Sequence, residues 1–400
     1  MVIPQKLLSL IDRFLKKKPI IDSEDIIQKM KSKKILVLTN FFMGLYSFRK
    51  EVIQAIIDKG YEVYISCPIV DAEEQAKANW FIDIGCKIME TNFNRKGTNP
   101  ISDFRLMLTY CRLIKKIQPS AVLSYTIKPN IYGGMACAIC NVPQLANVTG
   151  LGAAVENPGL MQKFTKFLYK VGMSKTTVTF FQNDANRRFC LKHKMVGGYT
   201  RLIPGSGVNL QYHVAKLYPE ESEPTRFLFI SRIRREKGID EYLAAAETLK
   251  PKYPNTEFHI VGFCEGNYES RIQNLHEKCI VCYHGQQSDV RPFLAQASCL
   301  VHPTFYPEGM SNVLLEACAT GRPIITTNRP GCREIVDDGE NGYIVKQQDK
   351  QDCIEKVGKF IDLPYEEKKA MGEAARKKVE REFDRQIVVD AYLKEIDNLC

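Results

Sequence analysis

The chain has 400 residues, of which 44% are hydrophobic and 26% charged, with a formal net charge of +10. This composition belongs to a folded protein with chain enough for two or three domains of about 150 residues, and it excludes disordered, collagenous and coiled-coil architectures. No run of about 18 apolar residues occurs, so no bilayer-spanning helix is expected. The positive charge points to an anionic partner, and nucleic acid, a phosphorylated small molecule or an anionic membrane all satisfy it.

Residues 1–32 form an N-terminal amphipathic basic segment. Ile3, Leu7, Leu8, Ile11, Phe14 and Leu15 fall near one helical face, with Lys6, Arg13 and Lys16–Lys18 alongside. That pattern predicts peripheral membrane contact through residues 1–20; a helix packed on the protein is the plainer alternative. The basic run follows the apolar stretch, so the segment does not read as a secretory signal.

From residue 33 short apolar runs alternate with amphipathic helices. KKILVLTN (33–40) reads as a strand, SFRKEVIQAIIDKG (47–60) as a helix stopped by Gly60, and YEVYISCP (61–68) as the next strand. CKIMETNF, SAVLSYT, LANVTG, TVTFFQN and YTRLIPGS continue the strand series. Continuous apolar strands separated by helices predict a parallel sheet covered on both faces. Residues 33–205 therefore read as a first Rossmann-like domain. Residues 206–224 are polar and turn-rich and read as a linker. The alternation restarts with RFLFISRI, KGIDEYLAAAETLK, TEFHIVGF, CIVCYHG, SCLVHPTF and RPIITTN. Residues 225–383 read as a second Rossmann-like domain, and 384–400 as a C-terminal helix able to return to the first. Two doubly wound domains facing each other place a ligand cleft at the carboxyl ends of their strands.

Several chemistries lack their signatures. Gly150-Leu151-Gly152 follows a strand, but Val155 stands at the third glycine position of a dinucleotide fingerprint, and no Walker loop occurs. Two CxxC pairs, Cys137/Cys140 and Cys279/Cys282, lie too far apart in sequence for a zinc ribbon, so the 14 cysteines read as reduced and mostly buried. The histidines show no metal spacing. His302 reads as structural or supporting, and Asn183 with Asp184 as a helix cap.

Two stretches concentrate the useful chemistry. Arg232 and Lys237 sit at the carboxyl end of the first strand of the second domain, in a loop suited to an anion. In HPTFYPEGMSNVLLEACATG, Ser311 or Asn312 is able to cap a helix whose free amides, Gly309 to Asn312, suit a diphosphate. Glu308 and Glu316 are eight residues apart, predicting two carboxylates on one side, roughly 12 Å apart along a helix at 1.5 Å per residue. The spacing alone also fits a solvated basic turn and an ordinary capped helix.

With Arg232 and Lys237 before it, Glu308-x7-Glu316 resembles glycosyltransferase family 4. NRKGTNPISDF (94–104), SYTIKPNIYGG (124–134), NVTGLG (147–152), FFQNDANR (180–187) and IPGSGVN (203–209) are similar to its capsular and O-antigen branch. The resemblance implies an α/β GT-B fold and retaining transfer from a nucleotide-sugar, with UDP the expected nucleotide. The acceptor it implies is a glycan linked to undecaprenyl diphosphate, at the inner face of the cell membrane. It also implies roles: Arg232 and Lys237 on the donor diphosphate, Glu316 on the ribose, Glu308 on the donor sugar, and the amides of Gly309, Met310, Ser311 and Asn312 completing the donor site. The loop Met43-Gly44-Leu45 corresponds to the family's glycine-containing loop, with one glycine where many members have two. Thr149, before Gly150, stands where many members have a histidine. Lys128, after a strand end in the first domain, is a candidate for an acceptor phosphate.

Departure of a nucleoside diphosphate builds negative charge that needs a positive environment. No Asp-x-Asp triplet occurs for holding a metal, so the cations and the helix N-terminus are expected to act without metal or other cofactor. Two other functions match parts of the pattern: a glycosidase using Glu308 and Glu316 as its carboxylate pair, and a non-catalytic basic RNA-binding module. The second lacks the aromatic motifs of RNA readers, and no nucleic-acid partner is expected.

Overall fold

A computed structural model describes residues 33–95, 99–152, 155 and 159–399. The basic segment 1–20, with its expected membrane contact, lies outside them. The chain divides into two units: residues 1–203 with 388–400, and residues 204–387.

In the first unit seven parallel strands run β1 (Lys34–Leu38), β2 (Glu62–Cys67), β3 (Lys87–Glu90), β4 (Ala121–Tyr125), β5 (Gln144–Val148), β6 (Val178–Phe181) and β7 (Tyr199–Leu202). Their spatial order is β3-β2-β1-β4-β5-β6-β7, so the winding direction reverses between β1 and β4. Side chains alternate across the sheet. Ile35 and Val37 enter one core and Leu36 and Leu38 the other. The first core is covered by α1 (Phe42–Asp58), α2 (Ala72–Asp83) and part of α13 (Arg385–Asp397). The second is covered by α3 (Pro100–Ile117), α4 (Ile127–Cys140), α5 (Leu160–Gly172) and α6 (Asp184–Lys192).

Caps explain most of these helix starts. Asp71 accepts from the Glu74 amide at 2.8 Å, and Asn99 from Ile101 and Ser102 ahead of Pro100. Asn183 accepts from Asn186, the role expected of it. Helix α1 differs from the sequence reading. Met43-Gly44-Leu45 is no loop but its first turn, because the Glu74 carboxylate accepts from the Phe42 amide and substitutes for a local cap.

In the second unit, β8 (Thr225–Ile230), β9 (Thr256–Val261), β10 (Cys282–Tyr283), β11 (Cys299–His302), β12 (Ile324–Thr327) and β13 (Gly342–Val345) form a parallel sheet of order β10-β9-β8-β11-β12-β13. Helices α7 (Ile239–Leu249), α8 (Glu269–Glu277), α9 (Arg291–Gln296), α10 (Asn312–Ala319), α11 (Lys350–Asp362) and α12 (Tyr365–Glu382) complete it. CIVCYHG contributes only two strand residues, since Cys279 turns the chain with a φ of +56°.

Residues 206–224, expected to be a linker, belong to the second unit. Arg322 is fully buried and its guanidinium donates to the carbonyls of Lys216, Leu217, Leu294 and Ala295. Burial pushes its pKa down to about 10, and those carbonyls supply the partners a buried cation requires. Residues 388–397, by contrast, pack in the first unit. Tyr392 is fully buried, stacks on Phe180 at 4.3 Å and accepts from the Asn147 amide at 2.7 Å.

Candidate functional site

The winding reversal of the second unit lies between β8 and β11, where the loops diverge and leave a crevice at the strand ends. The loop after β8 carries Arg232 to Gly238, and the loop after β11 carries Pro303 to Ser311. Gly238 has a φ of +83°, and a Cβ there would lie 2.2 Å from the Pro303 carbonyl oxygen. Only glycine lets the two loops approach this closely.

Across that contact Lys237 Nζ pairs with Glu308 Oε1, their side chains 11% and 19% exposed. The ammonium also lies 4.7 Å from the centre of the Tyr306 ring. Arg232 pairs with Glu265 at 3.1 Å, and Arg234 reaches both Glu265 at 3.3 Å and Glu236 at 2.8 Å. Arg234 pulls the Glu236 carboxyl down to about 2. Backbone pairing beyond the strands, with Ile233 against Cys264 and the Glu265 amide on the Ile233 carbonyl, fixes Glu265 opposite the two arginines.

Helix α10 starts at Asn312, with Ser311 as an extended N-cap whose side chain makes no capping bond. Two expectations change here. The Ser311 amide is already used, donating to the Gly331 carbonyl at 2.8 Å. Glu308 lies outside the helix, so the 12 Å spacing to Glu316 does not apply; only the four steps from Asn312 to Glu316 are helical, about 6 Å. Asn312 Oδ1 is buried without a partner among the described residues, as are both ring nitrogens of His302. His302 is fully buried, and burial lowers its pKa, keeping the ring neutral. Glu316 is partly buried. Desolvation raises its carboxyl to about 7, opposed by the nearby Arg385 cation. Met310 is buried against Gly205 of the IPGSGVN stretch, where a φ of +63° and a Cβ position 2.5 Å from Met310 Cβ both demand glycine.

The remaining candidates lie in the first unit. Gly44 is in helix α1, and a Cβ there would strike the Phe41 ring. Thr149 and Gly150 follow β5 at the carboxyl edge of the sheet. Lys128 is engaged within the protein: its ammonium donates to Asp103 at 2.8 Å and to the Asn94 carbonyl at 2.9 Å, while Tyr132 donates to the other Asp103 oxygen. Sequence reasoning missed Thr126. It sits at the end of β4, beside the winding reversal, with a φ of +71° and its Oγ1 buried without a partner among the described residues. A β-branched residue in that region is strained, and such strain collects at functional sites.

Two family descriptions match this chain: "Glycosyl transferases group 1" over residues 215–378 and "Glycosyl transferase 4-like" over residues 34–183. The chain belongs to these family 4-like glycosyltransferases. The glycosyltransferase is 25% identical over 374 residues to N,N'-diacetylbacillosaminyl-diphospho-undecaprenol alpha-1,3-N-acetylgalactosaminyltransferase of Campylobacter jejuni, spanning 89% of this chain and 96% of that one. It is 28% identical to the capsular polysaccharide biosynthesis glycosyltransferase CapM of Staphylococcus aureus over 72% of this chain and 79% of that one. Among solved structures, Anabaena Alr3699/HepE in complex with UDP superimposes with a TM-score of 0.72 at 14% identity, covering 91% of this chain and 100% of that one. A glycosyltransferase from Rickettsia africae gives 0.76 at 19% identity, covering 92% and 99%. The fold is therefore of the GT-B class, with two parallel-sheet Rossmann-like domains. Among the described residues of the glycosyltransferase, no cluster of three or more His, Cys, Asp or Glu is placed to hold a metal ion. None of its described helices is long and apolar enough to cross a membrane.

Gly331, which the sequence reading passed over, supports the 308–311 turn. Its φ is +89°, and a Cβ there would lie 2.8 Å from the Gly309 carbonyl oxygen and 3.2 Å from Glu308 Cβ. Gly331→Ala is expected to cost about 1–3 kcal/mol in denaturant unfolding and to weaken nucleotide binding by displacing that turn. Unchanged affinity in calorimetry would mean the turn plays no part in binding.

Proposed function

We propose that this glycosyltransferase moves a hexose or N-acetylhexosamine, with retention at the anomeric carbon, from a UDP-sugar to a lipid-diphosphate-linked glycan during assembly of a bacterial surface polysaccharide. The observation that carries the reading is the convergence of Arg232, Lys237, Glu308 and the start of α10 at the strand ends of the second sheet, with Glu316 one turn into that helix. In this reading Arg232 and Lys237 bind the diphosphate and stabilise the charge that builds as it departs. The N-terminus of α10 adds partial positive charge through its helix dipole. Glu316 accepts hydrogen bonds from the ribose hydroxyls, and Glu308, oriented by Lys237, meets the donor sugar. The acceptor hydroxyl attacks from the face the diphosphate leaves, and its proton passes to a departing phosphate oxygen. Thr149, Gly150 and Gly44 lie in the first unit, as does Lys128, whose ion pair with Asp103 positions it for an acceptor phosphate.

The lipid-linked acceptor and the polysaccharide setting draw on what the Campylobacter and Staphylococcus relatives are named for. The uridine nucleotide draws on the UDP bound by HepE. Thermal stabilisation by UDP-sugars, GDP-sugars and other nucleotide-sugars, followed by turnover with a lipid-diphosphate glycan, tests the assignment. Transfer with a UDP-sugar is expected to persist in excess chelator, because no Asp-x-Asp is present and protein cations are assigned the metal's electrostatic part. Loss in chelator with rescue by manganese would overturn that assignment.

A further inference from the structure

The two faces of the first sheet carry opposite charge. Helices α3, α4 and α5, side by side over one face, contain eight basic residues and one acidic residue, Asp103, which is buried and paired with Lys128. Over the other face, α1, α2 and residues 388–397 contain eight acidic residues and four basic ones. Nothing in the fold requires this division, since both sets of helices bury similar apolar cores.

The basic face also exposes large apolar side chains where burial is expected. Leu160 and Met161, the first residues of α5, are 85% and 53% exposed, and Ile101 near the start of α3 is 67% exposed. Phe104 and Ile127 stand with them. Each of these helices follows a parallel strand, so their N-termini share the carboxyl rim of the sheet. Neighbouring helix axes lie roughly 10 Å apart, so these side chains occupy one strip of that rim. Behind them on α5, Lys163, Lys166 and Lys170 recur at helical spacing, with no acidic residue anywhere on the helix.

From this juxtaposition we infer that the α3–α4–α5 face of the first unit is a membrane-docking surface, inserting Leu160, Met161, Ile101 and Phe104 among anionic lipid headgroups while the lysines of α5 contact the phosphates. The chemistry selects a lipid surface over nucleic acid. A sugar-phosphate backbone satisfies lysines but offers no apolar phase to aliphatic side chains standing in water, whereas a bilayer interface offers both. The surface is built from described residues of the first unit and does not depend on the assigned donor or acceptor.

The test is co-sedimentation of the full chain with vesicles of phosphatidylcholine alone and of phosphatidylcholine doped with phosphatidylglycerol. Binding is expected only to the doped vesicles. The triple variant K163E, K166E, K170E is expected to lose about a hundredfold in affinity, at roughly fivefold per basic side chain. Leu160→Asp with Met161→Asp is expected to lose about tenfold or more without change in melting temperature, since both side chains are exposed. Doped-vesicle binding untouched by both variants would overturn the inference and assign the contact elsewhere, residues 1–20 included. RNA binding that is lost in the triple variant, with no vesicle binding by the parent, would overturn it in favour of nucleic acid. Calorimetry with UDP on the same proteins keeps the two readings apart: a parent that docks on vesicles but ignores UDP refutes the proposed donor and leaves the surface standing.

Discussion

Glu316→Gln is expected to raise the melting temperature of the nucleotide-free protein at pH 8 and to lower its affinity for UDP at the same pH. The opposed signs follow from one carboxyl. Its pKa in the folded chain is about 7, against an ordinary value of 4.5, because desolvation by the surrounding protein disfavours the charged form. The folded state therefore holds a proton that the unfolded state has released between those values. The stabilisation is complete below about pH 4.5 and is lost as pH rises through about 7. At pH 8 the fold carries a partly desolvated carboxylate that only Arg385 and residual solvent compensate, a burden on the order of 2 kcal/mol once partial exposure is allowed for. Glutamine removes it, worth about 4–8 °C in a unit of this size, and the gain is expected to vanish at pH 4. Hydrogen bonds from ribose hydroxyls to a carboxylate are charge-assisted, so the same change is expected to cost about tenfold or more in UDP affinity at pH 8. From pH 6 to pH 8 wild-type affinity is expected to climb more steeply than that of the glutamine variant, whose remaining slope is the ionisation of the terminal phosphate of UDP. Equal slopes would remove Glu316 from the ribose.

Lys237→Met and Glu308→Gln are each expected to damage the enzyme, in ways a double variant separates. Their side chains are largely buried, so loss of one leaves the other charged without its partner, at a cost of about 2–4 kcal/mol. Replacing both is expected to restore much of that stability, giving a positive coupling energy in denaturant titrations. Turnover is not expected to recover. Loss of the cation assigned to the leaving diphosphate removes transition-state stabilisation, about a hundredfold to a thousandfold in kcat. A double variant with near-normal kcat would show the pair to be structural and send the search for the diphosphate ligand elsewhere.

What the sequence made legible was set by how local the physics is. Buried parallel strands are continuous apolar runs, so KILVL and CLVH declare themselves, and the two alternating halves follow. Arg232 and Lys237 read as a basic loop after an apolar strand, and the start of α10 as a glycine-bearing turn before a helix, both local patterns; that the two loops meet follows only from the strand order. The departures all depend on distant partners. Helix α1 begins early because Glu74, thirty-two residues on, takes the Phe42 amide. The stretch 206–224 looks like a linker until Arg322, about a hundred residues away, gathers its carbonyls. Thr126 and Gly331 are marked by backbone dihedrals that neighbouring residue types do not announce. The Ser311 amide reads as free in the sequence because its acceptor, the Gly331 carbonyl, lies twenty residues on.

The placement of residues 388–397 has a consequence for synthesis. The ribosome delivers residues 33–203 long before Tyr392, yet the ring stacked on Phe180 and bonded to Asn147 comes from that late stretch. During translation the first sheet must wait with Tyr125 and Phe180 short of the Tyr392 ring, while the whole of 204–387 emerges. The domain begun first is finished last. A nascent chain arrested near residue 387 would therefore display a sticky, protease-sensitive early half beside a complete later one.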